Sequence, residues 1–96
     1  MTVEEVAELA YGELQAAYHR RGNAGLLCWR ELTPYAASVV TGAARQALRA
    51  PADPDSATPR AADVFDSAFR YGVERLRHLV PAHEIDPPQA APVREG

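Results

Sequence analysis

The side chains suited to catalysis or metal binding are few and scattered. Cys28 is the single cysteine, and His19, His78 and His83 are the three histidines. Cys28 with His19 would make a nucleophile and its base, and Cys28 with His78 and His83 would make three metal ligands. Neither spacing matches a catalytic or ligand pattern, because zinc sites draw on Cys and His clustered in close pairs. Cys28 stands beside Trp29 in the most apolar stretch of the chain, the setting of a buried, inert thiol. Glu84 and Asp86 lie in a proline-rich tail where nothing would desolvate them, and the remaining carboxylates are dispersed. No pair is placed to drive two pKa values apart, as acid–base catalysis requires. A Gly-rich phosphate loop, a nucleophile elbow and a His-Glu-x-x-His motif are all missing from the sequence. The chain therefore reads as a non-enzyme, with no catalytic residue, metal or cofactor expected.

All ten basic residues are arginine. Arg45 and Arg49 fall at i, i+4 and Arg70 and Arg77 at i, i+7, so each pair shares a helix face. These four define an alternative reading as a nucleic-acid-binding accessory protein that holds phosphates through its second and third helices. Three features weigh against it. The formal net charge is −3; Asp63, Asp66 and Glu74 dilute the basic face; and the connections around the second helix exceed the three or four residues, roughly, of a helix-turn-helix. Ala, Arg, Pro and Gly have G/C-rich codons, whereas Ile85 and Asn23 are the single isoleucine and asparagine. Solvated arginines encoded by a GC-rich genome, such as that of an actinomycete or its phage, account for the pattern.

Three helices must position whatever site exists, and each opens on a threonine. Thr2 and Glu5 form a capping box for a helix from Thr2 to about Arg21, with Gly22-Asn23 as its stop. Its buried stripe is Val3, Val6, Ala7, Ala10, Leu14, Ala17 and Tyr18. The pattern Thr-Pro-x-Ala-Ala occurs at Thr33 and again at Thr58, each an N-cap followed by proline at the first helical position. The second helix runs from there to about Arg49, with Ala36, Val40, Ala43, Ala44 and Ala47 inward. The third runs to about Leu79, with Phe65, Ala68, Phe69, Gly72, Val73, Leu76 and Leu79 as its apolar face. Apart from that opening and Val39 against Val64, the two segments diverge, so shared caps explain the likeness better than an internal repeat.

Between the first two helices, residues 24–32 are strongly apolar and must be tucked in or hold a short helical turn, with Trp29 as the anchor. The expected fold is all-α: residues 1–80 as a compact three-helix bundle and 81–96 as an extended or disordered proline-rich tail. At 96 residues the chain makes one small domain. It has no membrane-length apolar run and no signal-like start, and a lone cysteine suits a reducing compartment, so the cytoplasm is expected.

The stretch from Ala7 to Leu48 resembles short actinobacterial and phage helical proteins and the first half of RyR-type domains. Tyr18, Gly22, Trp29, Pro34 and Gly42 carry the resemblance: a helix with a tyrosine, a glycine loop, then a tryptophan ahead of a proline-started helix with a central glycine. Under half the chain is covered, and Cys28 replaces the proline expected before the tryptophan. The resemblance implies a small ligand- or protein-binding module and transfers no functional residue.

Alanine fills much of the core, so each helix pair buries little apolar area against an ordering cost of about 1–2 kcal/mol per residue. Self-association is one remedy. Leu9, Gly12 and Ala16 on the first helix, and Tyr35, Val39 and Gly42 on the second, lie off the main stripes and are candidates for a subunit contact. The expected function is a non-enzymatic protein–protein interaction module, a homodimer that also engages another protein, with Trp29, Tyr11, Tyr71, Leu9 and Tyr35 as its contact residues. A small-ligand pocket beneath Trp29 is a further possibility.

Overall fold

Thr2 starts the first helix as the capping box requires. Its hydroxyl accepts from the Glu5 N–H at 3.1 Å, and the Glu5 carboxylate accepts from the Thr2 N–H at 2.7 Å. In this computed structural model, which describes residues 1–23, 25–58 and 65–86, helix α1 then spans Val3–Arg20. It ends in a Schellman motif. Gly22 has φ +83°, its N–H donates to the His19 carbonyl, and the Asn23 N–H donates to the Tyr18 carbonyl. Thr33 caps α2 (Pro34–Arg49) by accepting from the Ala36 N–H at 3.1 Å. Helix α3 spans Phe65–Leu76 and tightens into a 3-10 turn at Arg77–Leu79. The described residues are mostly helical and contain no strand.

The Thr2 bond lowers the Glu5 carboxyl below its ordinary value of 4.5, and a bond from the Cys28 N–H does the same for Glu31. Both carboxylates therefore add stability above that value and lose it as the pH falls through their lower folded-state values. Far-UV circular dichroism should show helix loss below about pH 4.5, and Glu5→Gln should weaken that pH dependence while lowering helicity at neutral pH. An unchanged acid transition in Glu5→Gln would show that the box does not hold the α1 start.

Helix α1 lies central, packed on α3 and, less extensively, on α2. Val3, Val6, Ala7 and Ala10 meet Ala44 and Leu48 of α2 and Val73 of α3, with Val80 closing the end; Ala17 and Ala68 form a second cluster. Among the described residues the largest fully buried side chains are Val3, Val6 and Val73, so the centre of the core is built from small residues. That permits close approach: a Cβ at Gly72 would stand 2.6 Å from the Ala10 Cα.

Several expectations are corrected. Leu48, not Ala43, is buried on α2, because the α2 stripe is rotated toward α1; Ala43 is exposed. Leu79 is exposed, since it follows the change of pitch at Arg77. The tail does not begin at Pro81. Residues Ala82–Ile85 form a short helix, α4, whose Ile85 packs on the core while Asp86 pairs with Arg49 at 3.0 Å. The linker holds a 3-10 turn, Pro54–Ala57, with Asp53 accepting from the Asp55 N–H and the buried Ser56 hydroxyl. The Thr58 hydroxyl donates to the Asp55 carbonyl. The rest of the expected third-helix start at residues 59–64, the Phe65 side chain and the tail from residue 87 lie outside the described residues.

Candidate interaction surface

From Pro34 to Ala44, α2 contains no charged residue. A surface helix ordinarily sets charged side chains opposite its apolar stripe. Here Ala44 and Leu48 point inward, yet the opposite face carries Tyr35, 79% exposed, and Val39, 53% exposed. This face runs into an apolar groove of about 390 Å³. Helix α1 floors it with Tyr11 and Leu14, α2 walls it with Val39, Ala43 and Ala47, and α3 adds Phe69, with Asp66 and Arg70 on the rim. The opening exists because α2 and α3 both pack on α1 more than on each other.

Tyr11 ties this groove to the apolar segment after α1. Its ring meets Trp29 edge-on, with centroids 5.9 Å apart and planes at 63°, and its hydroxyl donates to the Leu27 carbonyl. Burial, then the neighbouring Cys28 and Glu31, push the Tyr11 hydroxyl pKa up. Gln15 also donates to the Leu26 carbonyl at 3.3 Å. Trp29 begins a 3-10 turn, Trp29–Glu31, and packs on the core, as an anchor should. Between these points Leu27 is left 52% exposed. Cys28 is also exposed, which corrects the expectation of a buried thiol.

The five expected contact residues divide between two sides. Tyr11 and Trp29 touch, and Tyr35 lies one turn before Val39 on the groove wall. Tyr11 is buried, however, so it supports the surface from beneath. Leu9 is half exposed on a small cleft with Glu13 and Leu76, and Tyr71 packs on the Ala17–Ala68 cluster beneath the Arg75 guanidinium, 5.4 Å from its ring centre. Leu14 and Phe69, both half-buried, line the groove, and Phe69 also packs against the core as its place on the apolar face of α3 predicts. The uncharged run from Pro34 to Ala44 is the sequence signal from which its wall could have been found.

The four arginines do not converge. Arg77 donates to the Leu48 and Ala47 carbonyls at 2.8 and 3.0 Å and grips the Glu74 carboxylate, and Arg49 pairs with Asp86. Arg45 lies in a separate cleft with Glu4 and Thr41, its Nε buried without a partner among the described residues. Arg70 is exposed on the groove rim.

Among the described residues no three of His, Cys, Asp and Glu come together as a metal site would require, and no helix is long and apolar enough to cross a membrane. No family model, curated protein or solved structure matches the chain.

Proposed function

We propose that the chain is a small non-enzymatic protein–protein interaction module: a three-helix bundle, dimeric, in the cytoplasm of a GC-rich bacterium or its phage. The observation that carries this reading is the uncharged outer face of α2 continuous with the open groove over Tyr11 and Leu14. A contiguous exposed apolar area rimmed by polar groups is the mark of a contact surface. The groove suits an amphipathic helix laid between α2 and α3, with Asp66 and Arg70 to orient it. Distribution of Arg45, Arg49, Arg70 and Arg77 over separate surroundings, two of them spent on ion pairs, favours this reading over nucleic-acid binding.

A photo-crosslinking residue placed at Ala43, in the groove, should give a discrete protein adduct in the source cells. The same residue at exposed Glu8 should give none. Equal yields from the two positions would remove the proposal. A salt-sensitive mobility shift with duplex DNA would transfer it to the arginines.

A further inference from the structure

We infer that α2 meets a second copy of this chain, antiparallel about a two-fold axis near Val39, with Tyr35 of each protomer seated over Gly42 of the other. The inference rests on the α2 face being a contact surface and adds what covers it.

The argument begins with a bump and a hollow. Tyr35 projects from the first turn of α2, 79% exposed. Gly42, two turns on, has no side chain, and a Cβ there would meet nothing within 4 Å. Its φ is not positive, Gly22 being the sole positive-φ glycine among the described residues. Glycine is disfavoured against alanine in a helix interior. Among the described residues nothing, neither packing nor backbone, calls for it at position 42. Gly72 shows the contrast, since a Cβ there strikes Ala10.

The arrangement is self-complementary. Positions i and i+7 lie on one helix face, about 10 Å apart along the axis. A two-fold operator midway between them carries each tyrosine onto the other copy's glycine, so one axis satisfies both contacts. An unrelated partner would have to supply a hollow and a knob at the same separation; a second copy supplies them by symmetry. Charge agrees. Residues close to a two-fold axis meet their own counterparts, so any charge there repels itself, and α2 has none from Pro34 to Ala44. Gly12 of α1 also faces open space, but Glu5 and Glu8 flank it, and the same argument does not extend to it.

The contact is small. A 16-residue helix is about 24 Å long and about 10 Å across, so α2 offers on the order of 250 Å² per protomer, against roughly 800 Å² in a standard interface. The dimer should therefore dissociate in the micromolar range.

Light scattering of the full chain from about 1 to 300 µM should show the mass rising from 10.4 kDa toward twice that value. Tyr35→Glu, at an exposed position, and Gly42→Glu, at a half-buried one where a Cβ meets nothing within 4 Å, should each raise the midpoint at least about tenfold with unchanged helix content. In a Cys28→Ser background, Val39→Cys should form a disulfide dimer under mild oxidation. Gln46→Cys should not, because its counterpart lies about 20 Å away along the antiparallel pair. A monomer at every concentration, a dimer indifferent to both glutamates, or equal cross-linking at Gln46 would overturn the inference. If the chain stays monomeric while Ala43 still crosslinks to a different protein, the interaction-module reading survives and this assignment of its partner falls.

Discussion

Gly72→Ala should destabilise the protein by about 2–3 kcal/mol and lower its Tm by on the order of 10–20 °C. The added Cβ would stand 2.6 Å from the Ala10 Cα, 3.0 Å from its Cβ and 3.2 Å from the Glu13 Cγ. A glutamate tip can swing aside; a backbone Cα in the middle of α1 cannot. Relief requires α1 and α3 to separate, which loosens the packing of Val6 and Ala7 against Val73. Gly42→Ala is the matched control, best made in a Tyr35→Glu background so that self-association does not enter. Its Cβ meets nothing, so the gain in helix propensity should stabilise the fold by about 0.5–1 kcal/mol. Thermal unfolding of the two variants should move in opposite directions. A loss below about 0.5 kcal/mol for Gly72→Ala would mean that the α1–α3 approach is not as close as the structure has it.

That contrast marks the boundary of what could be read from residue order. Helix starts were legible because a cap is local: Thr2 with Glu5, and Thr33 with Pro34, need only their own first turn. The α1 stop was legible for the same reason, with Gly22 supplying the left-handed residue. Most of the α1 stripe is legible too, because a long amphipathic period averages over many residues: Val3, Val6, Ala7, Ala10 and Ala17 are buried, while Leu14 and Tyr18 are half-buried. Burial on α2 was less legible. Ala43, Ala44 and Ala47 are the same residue type, and an alanine stripe does not say which edge of it faces the neighbour. Only the packing against α1 makes Leu48 core and leaves Ala43 on the groove. Cys28 is exposed because an apolar neighbourhood in sequence is not one in space. The segment hangs from Trp29 and the Tyr11 and Gln15 bonds, and Leu27 and Cys28 turn outward. The groove was hidden for a related reason. Leu14 and Phe69 have core composition, and they stay partly open because α2 and α3 diverge across α1, a relation between distant segments.

Arg77 could not be distinguished by type from the other arginines, and it carries the second large expected effect. Helix α2 ends without a glycine stop, so the carbonyls of its last turn need donors from elsewhere. Arg77 supplies them from 29 and 30 residues away: Nη1 to Leu48 at 2.8 Å and Nη2 to Ala47 at 3.0 Å. The same guanidinium holds both oxygens of Glu74, through Nε at 2.7 Å and Nη2 at 2.6 Å. That bond, ahead of the opposing effect of burial, raises the Arg77 pKa. With the Glu74 side chain 9% exposed and that of Arg77 23% exposed, the group is shielded from water at the α2–α3 junction. Arg77→Ala would leave a sheltered carboxylate and two carbonyls without their donor, at a cost of about 3 kcal/mol in urea unfolding at neutral pH. Arg77→Lys should recover less than half, since a single ammonium cannot serve two carbonyls and a carboxylate with one fork. Adding Glu74→Gln to Arg77→Ala should restore about 1–2 kcal/mol by removing the unpaired charge, and that recovery separates the cost of a stranded carboxylate from the loss of the cap. If Arg77→Ala instead left stability unchanged while abolishing a salt-sensitive affinity for DNA, the guanidinium would be a phosphate contact, and the assignment of α2 as the contact face would have to give way to the arginines.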